Sequence, residues 1–239
     1  VAGLKPNAVI IVASIRALKA HGGVAKTELK KENVPALETG FANLEKQVEN
    51  IRGFGLPAVV AINRFPTDTK AEIEKLSELC RRFGVPFALT DVWAQGGAGG
   101  IELAQEVMAA AERPSNFTFM YDRAQSPKEK IAAIATKVYG AAKVEYTAEA
   151  ERDLKAIHDQ GYDDLLICIA KTQYSLTDDP TLVGRPRDFT IIVREVRLSA
   201  GAGFLVAVTG QIMTMPGLPK RPPALSMDID AQGRITGLF

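Results

Sequence analysis

From residue 7 to residue 111, short apolar runs alternate with longer stretches in which apolar residues return every three or four positions. That pattern predicts strands alternating with amphipathic helices, the signature of an α/β fold. Asn7 to Ser14, with the unbroken apolar run Ala8 to Ala13 inside it, predicts a parallel strand buried on both faces. Ile15 to Glu32 reads as basic and loop-like, with Gly22-Gly23 inside it. A helix is predicted from about Pro35 to Arg52, with Leu37, Phe41, Leu44, Val48 and Ile51 at helical spacing and proline in the first turn. Pro57 to Asn63 predicts a strand, Lys70 to Phe83 a helix with Ile73, Leu76 and Leu79 on one face, and Pro86 to Leu89 a second strand. Thr69 and Glu72 have the spacing of a capping box. Gly96 to Gly100 predicts a turn that opens a helix from Ile101 to Ala111.

Arg113-Pro114-Ser115 interrupts the alternation. Helices are predicted over Pro127 to Val138 and Thr147 to His158, with Thr147 as a cap. Strands follow over Leu165 to Ala170, Phe189 to Leu198, Gly203 to Val208 and Ala224 to Asp230. The last two flank Met213 to Pro223, where closely spaced prolines forbid a helix or a central strand. An ordered loop between strands is a common place for a site.

Composition narrows the function classes. The chain has 239 residues, 46% hydrophobic and 24% charged, with a formal net charge of +1. That balance is ordinary for a globular protein and gives no basic footprint for nucleic acid. The apolar runs are strand-sized, too short to span a membrane as helices. Val1 to Lys5 lacks a leader pattern, and Cys80 and Cys168 form neither CxxC nor a disulfide framework, so a cytoplasmic location is expected. His21 and His158 are the only histidines, which argues against a transition-metal site.

Several segments could carry chemistry. Asn63 to Thr69 follows the strongest predicted strand, and ligands in open α/β sheets bind beyond the carboxyl ends of strands. Phe65, braced by Pro66, would stand at that edge, or else be a buried ring beside a helix cap. Trp93, the only tryptophan, follows the next strand. Neighbouring parallel strands lie about 4.8 Å apart, so aromatics at two such ends could sandwich a flat heterocycle, or Trp93 could instead simply pack under the glycine turn. Neither glycine segment meets its pattern: as a dinucleotide fingerprint Gly97 and Gly99 are followed by Glu102 where the third glycine is needed, and as a phosphate loop Gly22 to Thr27 has Ala25 before Lys26 where glycine is required. The loops Ala170 to Ser175 and Gly184 to Asp188 could take an anion, or form a solvated surface or subunit contact. Arg194, Glu195 and Arg197 read as a paired edge or interface, and nothing has the spacing of a Ser-His-Asp or Cys-His set.

The segments Ala61 to Thr69, Arg113 to Phe117, Ala170 to Ser175, Val193 to Gly201, Met213 to Pro223 and Ile235 to Phe239 together resemble formate–tetrahydrofolate ligases along the whole chain. The resemblance implies synthesis of 10-formyltetrahydrofolate from formate, tetrahydrofolate and ATP-Mg²⁺ through formyl phosphate, in a homotetramer activated by a monovalent cation (K⁺ or NH₄⁺). It implies that Phe65 and Trp93, with Pro66 beside them, hold the pterin, and that Thr214, Pro216, Leu218 and Pro219 lie near the adenine. It divides the chain into the end of a P-loop-type nucleotide domain (1–46), a folate-binding α/β domain (47–140) and a C-terminal α/β domain (141–239). The family's P-loop, of the form G-E-G-K-[S/T]-T, is not in this sequence. The chain is therefore expected to be a C-terminal portion, incomplete as a ligase without its N-terminal half. A second expectation is an inactive module for folate binding or subunit assembly.

Overall fold

A computed structural model describes residues 3–210, 212 and 220–237, Pro223 by its backbone alone. The fold is α/β, with one parallel and one mixed sheet. In the first sheet β1 (Val9–Ala13), β2 (Ala58–Asn63) and β3 (Phe87–Thr90) run parallel with β2 in the centre. The β1-to-β2 connection carries α1 (Ile15–His21) and α2 (Val34–Gly53), and the β2-to-β3 connection carries α3 (Lys70–Phe83). One face of the sheet and these three helices enclose a core of Ile15, Leu18, Leu37, Phe41, Leu44, Val48, Ile62, Leu76 and Leu79. Val59 and Ala61 on the other face of β2 are buried, and α5 (Ile101–Ala111) lies against β2 and β3 there.

That cover stops short of β1. Ile10 is 44% and Val12 69% exposed, so the apolar run at the start of the chain is an edge strand buried on one face, not on two. The loop expected over Ile15 to Glu32 is also corrected. Ser14 Oγ accepts Ala17 N at 3.3 Å and starts α1, and Ile15 and Leu18 bury against α2. The two helices cross closely because Gly40 has no side chain: a Cβ there would stand 1.8 Å from Leu18 O.

The second sheet has the order β4 (Lys143–Tyr146), β6 (Thr190–Ser199), β7 (Phe204–Thr209), β5 (Leu166–Ala170). β4 pairs parallel to β6 and β5 parallel to β7, whereas β6 and β7 are antiparallel with an irregularity between Val193 and Glu195. Two helices, α6 (Pro127–Ala133) and α7 (Ala148–Asp159), supply Ile131, Leu154 and Ile157 to a core shared with Val193, Val196 and Leu205. The residues after α6, Ile134–Tyr139, form a π-helical segment, so the helix predicted to Val138 changes character partway. Cys168 is exposed on β5, and Cys80 is buried in α3. The strand expected over Ala224 to Asp230 is a short 3₁₀ turn followed by a two-residue strand, β8 (Asp228–Ile229), paired with β9 (Ile235–Thr236) in an exposed hairpin.

Candidate functional site

Pairing Asn63 with Thr90 aligns the carboxyl ends of β2 and β3, so the loops that follow leave the sheet side by side. Arg64 N donates to Thr90 O at 3.1 Å, and Arg64 Nη1 lies 3.6 Å from Asp91 Oδ2. These contacts join the two loops one residue before Phe65 and two before Trp93.

The first loop is a tight turn. Asp68 N donates to Phe65 O at 3.0 Å, and Phe65 N donates to Asp68 Oδ2 at 2.8 Å. Thr69 then caps α3, its hydroxyl accepting Glu72 N while Glu72 Oε2 accepts Thr69 N at 3.2 Å. Phe65 is half-buried and Pro66 is exposed. The Arg16 guanidinium of α1 sits 3.9 Å from the centre of the Phe65 ring, within cation–π range. Phe65 also lines a cavity of about 230 Å³ shared with Ser14, His21, Asn43 and Asn63.

The second loop holds Trp93 in α4 (Val92–Gln95), a single short turn of helix. The glycine segment folds back on its start: Asp91 N donates to Gly99 O at 3.0 Å. A Cβ on Gly99 would lie 2.5 Å from Asp91 O, which explains glycine here without any phosphate role. Trp93 is 85% exposed, so it does not pack beneath that turn. Arg64, Asp91, Gln95, Gly99 and Glu102 surround a second cavity of about 350 Å³.

Two orphaned polar atoms lie in these strand-end segments. Asp68 Oδ1 and Thr90 Oγ1 are buried with no hydrogen-bond partner among the described residues. Burial pushes the Asp68 carboxyl above its usual range, although the hydrogen bond from Phe65 N pulls the other way. An unsatisfied buried polar group is costly, and such groups mark places where a ligand can complete the pairing.

Beneath the site, Lys19 and Glu72 form a fully buried ion pair at 2.8 Å between α1 and α3. Burial opposes ionisation of Glu72, but hydrogen bonds from Lys19 Nζ, Asn33 N and Thr69 N outweigh it and hold the carboxyl below its usual range. This pair fixes α1, and with it Arg16, relative to the Phe65 loop.

The other candidate loops are anchored inward. Lys171 Nζ donates to the carbonyls of Thr172 and Ser175, holding its own loop together. Arg185 makes a two-pronged contact with Glu49 on α2, at 2.9 and 2.6 Å. Gly184 O accepts Asn43 Nδ2 at 2.8 Å and Gly184 N donates to His21 Nδ1 at 3.1 Å. Arg194 donates to Gly210 O, and Glu195 pairs with Arg197 on the same strand. Lys26, read in sequence beside a false phosphate loop, follows a helix and not a strand. Thr214, Pro216, Leu218 and Pro219 lie outside the described residues. Among the described residues no group of three His, Cys, Asp or Glu side chains could hold a metal ion, and no helix is long and apolar enough to cross a membrane.

Arg16, Asp68 and Thr90 escaped the sequence reading. Ser14 before an apolar-periodic Ile15-x-x-Leu18 was a legible helix start that would have drawn attention to Arg16. A family model described as formate–tetrahydrofolate ligase matches residues 1–239.

Proposed function

The chain belongs to the formate–tetrahydrofolate ligase family, and from that premise we propose that it supplies the folate side of an ATP-dependent ligase site. The family's reaction joins formate to tetrahydrofolate. In our reading Phe65 and Trp93 grip the pterin from two sides, with Pro66 stiffening the Phe65 loop. What carries this is the placement of one half-buried and one fully presented aromatic beyond the carboxyl ends of adjacent parallel strands. A tryptophan 85% exposed loses hydrophobic stabilisation unless something covers it. Thr90 Oγ1 and Asp68 Oδ1 are the polar atoms best suited to the heterocycle's edge. Arg16 must share the Phe65 ring with the ligand or swing away from it.

The phosphate chemistry belongs elsewhere in this reading. Activation of formate by ATP needs a phosphate cradle and lysine that this sequence does not contain. We place them, and the ligands of Mg²⁺ and of a monovalent cation, on residues outside this chain. What the residues of this chain do is bind and orient the pterin so that its nucleophilic nitrogen meets the activated formyl group, and shield that encounter from water. The Thr214 to Pro219 segment is proposed to wall the adenine, and the assembly to be oligomeric.

Titrating folate while following Trp93 emission tests the proposal. Saturable quenching is expected, and Phe65→Ala should weaken binding by about 1–3 kcal/mol, the usual worth of a stacked ring. Binding that is unaffected by both Phe65→Ala and Trp93→Ala would sink it. Formyl transfer from the isolated chain, assayed with ATP and formate, separates a catalytic unit from a module that only binds.

A further inference from the structure

Stacking between two aromatic rings reads flatness and little else, since every flat heterocycle has a π-face. Choice among flat ligands needs polar groups at the ring's edge. Asp68 Oδ1 and Thr90 Oγ1 offer one contact each. A further pair stands where the two loops meet. Arg64 precedes Phe65 by one residue and Asp91 precedes Trp93 by two, and both line the cavity of about 350 Å³, with Gln95 and Glu102 completing its polar lining. Asp91 occupies the N-cap position of α4, where an aspartate side chain ordinarily accepts a backbone N–H of the first turn, yet it makes no such bond. Its Oδ2 accepts Gln95 Nε2 at 3.1 Å and lies 3.6 Å from Arg64 Nη1, and its Oδ1 accepts no hydrogen bond among the described residues. The contact with Arg64 is longer than a hydrogen bond, and the guanidinium makes no other ion pair or hydrogen bond among the described residues. Both groups therefore keep hydrogen-bonding capacity unused.

We propose that Arg64 and Asp91 together read the 2-amino-4-oxopyrimidine edge of the pterin, and so decide which flat heterocycle the aromatic pair accepts. The inference rests on the folate reading above. That edge presents an oxygen acceptor, a ring N–H and an amino group in a row. A guanidinium only donates and an ionised carboxylate only accepts. Side by side they supply the complementary row, Arg64 donating to the 4-oxo oxygen and Asp91 accepting from the ring N–H and the 2-amino group. Hydrogen bonds with one ionised partner are the strong kind. Gln95 steadies the carboxylate from the same short helix, so less ordering is left to the ligand. A latch that only tied the loops together would need a closer contact, because an ion pair at 3.6 Å with its arginine 47% exposed adds little stability.

Calorimetric titration of the intact chain with folic acid and with its 2-deamino analogue tests this. The native chain should bind folic acid about 5- to 50-fold more tightly, the worth of one partly exposed hydrogen bond to a charged group. In Asp91→Asn that preference should fall to about twofold or less, while the 2-deamino analogue changes by about threefold or less, because the group that the second oxygen would meet is missing in either case. Asn has the same shape and can still accept Gln95 Nε2, so the fold should be kept, and thermal melting checks it. The same cycle at the other end, Arg64→Met against a folate without the 4-oxo group, should show the same pattern and decides the matter if Asp91→Asn does not fold. Equal affinity of the native chain for folic acid and the 2-deamino analogue overturns the inference. So does a preference that survives Asp91→Asn, or a loss that is the same for both ligands, which is the mark of a loop latch. In each of these cases the folate reading stands, since it is read from Phe65→Ala and Trp93→Ala. No binding of any of these pteridines to the native chain defeats the folate reading itself.

Discussion

Asp68 and Glu72 stand four residues apart and are tuned in opposite directions. Asp68 is raised by burial with one oxygen unpaired, whereas Glu72 is lowered because its hydrogen bonds outweigh its burial. The sign of each effect on stability follows by linkage. A raised carboxylate binds a proton more tightly folded than unfolded, so Asp68 destabilises the fold as pH rises through its folded value. Asp68→Asn should therefore leave stability at pH 7 unchanged or raise it, since Asn can still accept Phe65 N–H. The difference from the native chain should close below the unfolded value, about 3.8. A lowered carboxylate does the reverse. Glu72 contributes stability that is complete above about 4.5 and is lost as pH falls through its folded value. Denaturant melts of both chains between pH 3 and 7 check the two signs. Lys19→Met, which strands the Glu72 charge in the core, should cost about 3–5 kcal/mol. Lys19→Met combined with Glu72→Met should recover only part of that loss, because it removes the stranded charge but leaves Asn33 N and Thr69 N without their acceptor.

At the scale of elements, local pattern was enough where one principle acted alone. The bounds of α3 follow from its capping box and apolar stripe, and β2 from a run buried on both faces. It was insufficient where tertiary context decided. The β1 run looks like β2 in sequence, but α5 covers only β2 and β3, and one face of β1 is left open. In α1, lysine at position 19 masked an apolar face, because its charge is neutralised by a residue 53 positions away. Alternating residues at 224–230 suggested a strand, but only two of them pair. Phe65 and Trp93 could be placed at strand ends from sequence, whereas Arg16 could not be placed on the Phe65 ring, since that contact depends on how α1 crosses α2. That crossing makes a prediction of its own. In an exposed helix Gly→Ala stabilises by up to about 1 kcal/mol. At Gly40 the new methyl would meet backbone, Leu18 O at 1.8 Å, which cannot yield as a flexible side chain would. Gly40→Ala should destabilise by about 1–3 kcal/mol or more. Displacing α1 should also weaken folate binding, so the melt and the titration are expected to shift together.

Across the whole molecule the two sheets have separate apolar cores, one built from β1 to β3 with α1 to α3 and one from the second sheet with α6 and α7. The joint between them is largely polar. It includes Asn43 Nδ2 to Gly184 O, Gly184 N to His21, the Arg185–Glu49 pair, and Lys46 Nζ to Lys137 O at 2.7 Å. Such a joint holds two units in register while contributing much less than either core, and it resembles interfaces between domains that can move. It also carries the 173–183 loop, which with α1 lines a cavity of about 780 Å³ beside the one at Phe65. Asn43→Ala with Arg185→Gln removes the buried amide contact and the two-pronged ion pair, together worth about 2–3 kcal/mol. The double variant should unfold in two calorimetric steps where the native chain unfolds in one. Cys80 can say which unit opens in which step, because its thiol is buried in α3 and pushed up to about 12 by that burial. With the exposed Cys168 replaced by serine, labelling of Cys80 reports the first sheet alone. Cys80 should label in one step of the double variant and stay protected in the other. A single transition, merely lowered in temperature, with Cys80 labelling across all of it, would mean that contacts other than these polar ones couple the two units.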